Sequence, residues 1–178
     1  MRVGLLSDIH ANAHALQAIL KKAKSKKIDK ILCCGDYVGY YYEPDYVINL
    51  LDQWDWIGIA GNHESMLLDW LNKKDRNEIK KKYGSGISVA AKKLDKETIF
   101  RLCRMPHSKK IIIDNFRVLL CHGSPWDRDL YVYPDAGDEI KMKLFEYNND
   151  IDIIVYGHTH YPVIWKKNSR IVINPGSV

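Results

Sequence analysis

Eight residues of this chain have the side chains and the spacing to do chemistry together. They fall in five short stretches: Asp8-Ile9-His10, Gly35-Asp36, Gly61-Asn62-His63-Glu64, Cys121-His122-Gly123 and Gly157-His158-Thr159-His160. In Asp-x-His and His-x-His the two side chains are two residues apart, so on an extended segment both face the same site. The glycines at 35, 61, 123 and 157 let the backbone turn sharply and bring ligands close. The set holds imidazoles, two carboxylates and one amide, enough donors for two metal ions with one histidine to spare. Neutral imidazole combined with carboxylate oxygen suits Zn, Mn, Fe, Co or Ni better than Ca or Mg. A single Asp-x-His is an ordinary turn; five such stretches in one chain carry the signal.

Each stretch follows an apolar segment that reads as a strand. Residues 1–7 form a short apolar run, and residues 12–25 place Ala15, Leu16, Ile19, Leu20 and Ala23 at helical spacing with lysines opposite. Ile31 to Cys34 is a buried-strand pattern, Pro44 opens a helix carrying Val47, Ile48, Leu50 and Leu51, and Trp56 to Ala60 reads as a third strand. This alternation implies parallel βαβ units, and ligands of such sheets gather at the carboxyl ends of strands. Residues 64–82 read as one helix, broken by Gly84 and Gly86. Asp95 caps a helix running towards Arg104. Residues 110–121 and 162–173 then read as two hairpins, with Ile153 to Tyr156 as a strand between them. Two mixed sheets packed face to face with helices outside fit this order.

The chain has 178 residues, 46% hydrophobic and 28% charged, with 11 glycines and 6 prolines. That composition describes a single globular domain over 1–178 and excludes collagen-like or wholly disordered chains. No apolar run approaches the ~20 residues of a bilayer span. The short apolar start ends too early, at Asp8 and His10, for a signal peptide. Cys33, Cys34, Cys103 and Cys121 lack zinc-knuckle spacing and read as reduced thiols of a cytoplasmic protein. The net charge is +5, with lysine runs at 21–30 and 73–82 that read first as solvated helix faces, and second as attractants for a phosphorylated substrate. Tyr37, Tyr40, Tyr41, Tyr42, Trp126, Tyr131 and Tyr133 follow two of the ligand stretches and are suited either to packing or to stacking a nucleobase. His14 and His107 stand outside the motifs, with His14 near enough in sequence to line the same pocket.

The five stretches, together with Asn174-Pro175-Gly176-Ser177 and the segment from Leu94-Asp95 to Arg104-Met105-Pro106, resemble the calcineurin-like metallophosphoesterases, in particular the small bacterial and archaeal phosphodiesterase branch. The resemblance covers nearly the whole chain. It implies a four-layer αββα sandwich and a role for each residue by motif position. Asp8, His10 and His160 would hold one metal; Asn62, His122 and His158 would hold the other; Asp36 would bridge them; and His63 would be the unliganded catalytic histidine. Three features depart from the family: Glu64 stands where aspartate is usual, Val38-Gly39-Tyr40-Tyr41-Tyr42 lacks a second glycine, and the sequence stops at Val178, where relatives add strands.

Two divalent metals with Asp8 and Asp36 leave a site of +2, or +1 with a bridging hydroxide, built to receive an anion. Such a site supplies hydroxide near neutral pH and clamps phosphoryl oxygens during in-line displacement. His63 would then give the leaving oxygen its proton. The expected function is hydrolysis of a phosphodiester, of a small molecule or nucleotide. Alternatives are a phosphomonoesterase, including a protein phosphatase or a dinucleoside polyphosphate hydrolase, and a non-catalytic interaction scaffold of the retromer-subunit kind. A scaffold should have lost ligands, whereas all eight residues are retained. No dedicated nucleic-acid-binding module is expected, and homo-oligomerisation is possible.

Overall fold

The computed structural model describes all residues 1–178. The first half alternates strand and helix: β1 (Val3–Leu6), α1 (Ala13–Ser25), β2 (Lys30–Cys33), α2 (Pro44–Leu51) and β3 (Trp56–Gly58). Four helices follow: α3 (Asn62–Leu71), α4 (Arg76–Tyr83), α5 (Gly86–Lys93) and α6 (Lys96–Cys103). The second half holds β4 (Ser108–Ile113), β5 (Phe116–Cys121), α7 (Asp138–Glu146), β6 (Ile153–Val155), β7 (Val163–Lys167) and β8 (Arg170–Asn174).

The strands form two sheets, ordered β1-β2-β3 and β4-β5-β6-β8-β7. All pairs in the first are parallel; in the second, β5-β6 and β6-β8 are parallel while the β4-β5 and β7-β8 hairpins are antiparallel. The expected sandwich is present, and mixed strand direction is confined to the second sheet.

Period-two alternation builds the layers. Leu6, Ile31 and Cys33 face one way, packing with Leu16, Leu51, Leu67, Ile87 and Leu102 of the helices. Leu32, Cys34 and Ile59 face the other way and meet Val118, Leu120 and Val155 of the second sheet. Leu119, Cys121, Ile154 and Val172 point outward from the second sheet onto Leu144 and Phe145 of α7. The order is therefore helices, sheet, sheet, helix. Leu16, Leu51, Leu67, Ile87 and Leu102 have no exposed surface, and each such side chain contributes about 1.5–3 kcal/mol relative to exposure.

Two sequence expectations change. The single helix over 64–82 is two helices, because Asn72-Lys73-Lys74-Asp75 offers nothing apolar to the core, and Lys73 and Asp75 turn the chain at φ 61° and 49°. Gly84 ends α4 at φ 72°, but Gly86 opens α5 rather than breaking a helix. The sequence patterns above include no helix over 138–146; Asp138 and Glu139 in the first turn of α7 and buried Leu144 and Phe145 are its signals.

Candidate metal centre

All eight residues singled out in the sequence lie beyond the carboxyl ends of parallel strands, where the two sheets meet. Asp8 and His10 follow β1, Asp36 follows β2, and Asn62 and His63 open α3 just after β3. His122 directly follows β5, and His158 and His160 follow β6. The β1 and β2 loops run side by side: the Asp8 N–H donates to the Gly35 carbonyl at 3.1 Å, and the His10 N–H to the Asp36 carbonyl at 2.9 Å. Gly35, at φ 91°, has no room for a side chain, since a Cβ would stand 2.5 Å from the Gly61 nitrogen. Five of the eight, Asp8, His10, Asp36, His158 and His160, hold positive φ angles of 50–76°. Such strain persists where the surroundings over-determine it, typically at functional sites.

Each buried histidine is oriented by a backbone carbonyl or by its neighbours. His10 Nδ1 is 3.2 Å from the Val38 carbonyl, which leaves Nε2 facing His160 Nε2 at 3.0 Å and Asp36 Oδ2 at 3.7 Å. His122 Nδ1 is 2.6 Å from the Cys34 carbonyl, leaving Nε2 3.0 Å from Asn62 Oδ1 and 3.4 Å from Asp36 Oδ2. His158 Nδ1 lies 3.1 Å from the same Asn62 oxygen. The His158 N–H donates to both oxygens of Asp8, at 3.1 and 3.0 Å. Asp8, His10 and His160 therefore form one cluster and Asp36, His122 and His158 a second, each with donor atoms within 4.8 Å of one another.

Glu64 anchors the arrangement. Fully buried, it accepts N–H bonds from Asp36 and Gly61 on one oxygen and from Tyr37 and Val38 on the other, at 2.8–3.4 Å. Its extra methylene relative to aspartate spans the β2 and β3 loops. Burial and the Asp36 charge push its carboxyl up to about 7 while these N–H groups oppose them; with both oxygens accepting, the bonding pattern is that of the carboxylate.

The donor chemistry fits divalent transition metals. Burial pushes His10 down to about 3 and His158 to about 4, so both imidazoles are neutral with lone pairs available. Burial alone would raise Asp36, but His122, His63 and His10 hold it well below the carboxylate range; the same Asp36 charge overcomes burial to lift His122 to about 9. Burial is the main cause lifting Asp8 to about 6. His63 Nδ1 and His158 Nε2 are buried without a hydrogen-bond partner. Two imidazole nitrogens 3.0 Å apart, as in His10 and His160, need a shared proton or cation between them.

His63 donates its backbone N–H to Asp36 Oδ1 at 2.9 Å, and its Nε2 lies 4.0 Å from Asp36 Oδ2. Burial lowers its pKa against the pull of Asp36. Tyr40 and Tyr83 cover its ring at 5.0 and 5.3 Å. Tyr131 packs on His158 at 4.1 Å. A cavity of about 430 Å³ opens over Asp8, His10, Tyr40, Tyr41 and His160.

Other residues considered in the sequence lie elsewhere. His14 is exposed beside Glu43, and His107 contacts Arg128. Tyr37 is buried and donates to the Ile59 carbonyl; Trp126 packs against Tyr147. Tyr83 and Asn174 are near the site without having been assigned a role by sequence. Asn174 belongs to the Asn174-Pro175-Gly176-Ser177 motif, and in the fold its amide N–H donates to the Gly157 carbonyl and Thr159 Oγ1 at 3.1 and 3.0 Å.

A family model for the calcineurin-like phosphoesterase superfamily domain matches residues 1–178. The chain belongs to that superfamily. It is 29% identical to an uncharacterized protein of Methanocaldococcus jannaschii, over 99% of this chain and 69% of that protein. A phosphodiesterase of the same organism is 24% identical over 99% of this chain and 83% of its own length. The crystal structure of a metallophosphoesterase from Sphaerobacter thermophilus superposes with a TM-score of 0.77 at 26% identity, covering 99% of this chain and 76% of that one. Membership and the clustered Asp and His residues make the protein a metal-dependent phosphoester hydrolase. No helix is long and apolar enough to cross a membrane.

Proposed function

We propose that the protein is a phosphodiesterase acting on a small-molecule or nucleotide phosphodiester, with residues 1–178 forming one catalytic domain around two divalent transition-metal ions. Asp8, His10 and His160 would hold one ion, Asn62, His122 and His158 the other, and Asp36 both. The observation that carries this reading is the position of Asp36 Oδ2, 3.7 Å from His10 Nε2 and 3.4 Å from His122 Nε2, between the two clusters. Mn, Zn, Fe, Ni and Co are all compatible with the donor set. Metals bound there would lower the pKa of water and draw charge from the phosphoryl oxygens. The chain's own residues do the rest. The Val38 and Cys34 carbonyls fix the tautomers of His10 and His122. Tyr40 and Tyr83 shield His63 from bulk water, and His63 supplies the proton to the departing alkoxide. The similarity to the Methanocaldococcus phosphodiesterase supports a diester substrate, and the equal similarity to a serine/threonine-protein phosphatase of Escherichia coli makes the monoester the alternative to test. The four unpaired cysteines, three of them buried, suit the reducing cytoplasm.

The test is turnover of bis-p-nitrophenyl phosphate against p-nitrophenyl phosphate, with each metal in turn. Faster diester turnover is expected; monoesters winning with every metal would make the protein a phosphomonoesterase. A second reading of His63 has its own observation: His10, Asp36 and His63 also bring donor atoms within 4.8 Å. His63 would then be a ligand, and its replacement would cost a metal.

A further inference from the structure

The rim of the centre carries a cation that the proposed hydrolysis does not use. Helix α4 ends in Lys82-Tyr83. The Tyr83 ring meets His63 edge to face at 5.3 Å and 74°, and Lys82 Nζ lies over that same ring, 5.0 Å from its centroid. The placement is built into the fold. A Cβ on Gly86 would stand 2.4 Å from the Tyr40 nitrogen and 2.6 Å from the Gly39 carbonyl carbon, so the junction of α4 and α5 sits directly on the Tyr40 loop. The Tyr83 ring accordingly stands beside that loop, 6.2 Å from the Tyr40 ring.

Lys82 is exposed, and the titratable groups around its ammonium are the phenols of Tyr83, Tyr131 and Tyr40 rather than carboxylates. Elsewhere Lys30, Arg101 and Arg117 pair with Asp55, Asp52 and Asp152. The tyrosine rings are largely engaged with one another and with the histidines: Tyr40 with His10 and His63, Tyr131 with His158 and, stacked at 13°, with Tyr133. No carboxylate pairs with Lys82, whose ammonium lies against the Tyr83 side chain, so the cluster presents an ammonium together with phenol groups. One ammonium with several O–H donors matches the terminal oxygens of a phosphoryl group, which charge-assisted hydrogen bonds hold well.

We infer that Lys82, with the hydroxyls of Tyr83, Tyr40 and Tyr131, forms a subsite for a second phosphoryl group of the substrate, on the leaving-group side next to His63. This rests on the reading of His63 as the proton donor of a phosphodiesterase. It selects a class of substrate: diesters in which one alcohol carries a further phosphate, in preference to diesters of uncharged alcohols.

Three probes test it: thymidylyl-thymidine, its 5′-phosphorylated form and its 3′-phosphorylated form, compared as KM values on the Mn-loaded protein. At least one phosphorylated form is expected to have a KM roughly two- to fivefold lower than the unphosphorylated one, the scale of one charge-assisted contact at an exposed site. Lys82→Met should bring that ratio to near one, and Lys82→Arg should keep most of it. Equal KM values for all three probes, or a preference that survives Lys82→Met, would overturn the subsite. Turnover of the unphosphorylated diester separately tests the phosphodiesterase reading. If none of the three is hydrolysed, that reading fails, and their Kd values from equilibrium dialysis with wild-type and Lys82→Met protein decide the subsite by the same ratios.

Discussion

Replacing Glu64 by glutamine should loosen the centre without touching any proposed ligand. The carboxylate accepts from Asp36 N at 2.9 Å and Gly61 N at 2.8 Å on one oxygen, and from Tyr37 N at 2.8 Å and Val38 N at 3.4 Å on the other. Glutamine has one acceptor oxygen, so whichever way it turns, its NH₂ group faces two N–H donors. At least one strong bond is lost outright, and a second donor is left buried and unpaired. Each unsatisfied buried N–H costs about 1–3 kcal/mol, so two give roughly 2–6 kcal/mol. Removing a buried charge offsets part of this, and a net loss of about 2–4 kcal/mol is expected. For a chain of this size that corresponds to a fall in Tm of roughly 5–15 °C.

The assay is thermal unfolding of wild type and Glu64→Gln in chelator and in saturating Mn. The released N–H groups belong to the loops that carry Asp36 and Asn62, so the variant should also gain less Tm from metal than wild type does. A Glu64→Gln protein as stable as wild type in chelator would refute the anchoring argument. A full loss of stability with undiminished gain from metal would show that Glu64 serves the fold but not the site.

Three further outcomes follow from the same geometry. His63→Ala should keep its metals and lose activity by about 10²–10⁴, more for alkoxide than for nitrophenolate leaving groups; loss of a metal instead makes His63 a ligand. Asn174→Ala removes the amide that bonds Gly157, Thr159 and, through its oxygen, the Gly176 N–H at 2.8 Å, so metal titration should show affinity roughly 10–100-fold weaker, as for other residues that position ligands; unchanged affinity would mean that the His158–His160 loop holds itself. Arg117 holds the Asp152 carboxyl down to about 2 in the folded protein, so its stabilisation is present above pH ~4 and lost as pH falls towards 2; Tm measured over that range should fall more in wild type than in Asp152→Asn.

The sequence made the centre legible because its residues follow strands, and short continuous apolar runs are the plainest pattern in this chain. Asp8-x-His10 and His158-x-His160 could be placed at strand ends before any contact was known. Their φ angles could not, since nothing in the local sequence says that five of these residues adopt positive φ. Glu64 read as a departure from the family; its role emerges only when β2 and β3 lie side by side and four N–H groups converge on it. The break in the helix over 64–82 was hidden by charged residues that helices tolerate. Tyr83 was invisible for the same reason, at the end of a lysine run that read as solvent-facing. Helix α7 is not legible because only two of its residues, Leu144 and Phe145, are buried, against the outer face of the second sheet.

The central claim is that two metal clusters share Asp36. Its most direct test is the number of Mn ions retained per chain by equilibrium dialysis under saturating Mn, for wild type and Asp36→Asn. Two ions per wild-type chain, and weakened retention of both in Asp36→Asn, are expected. A wild-type chain that saturates at one ion, or an Asp36→Asn chain that loses one ion and keeps the other at full affinity, would contradict the shared centre.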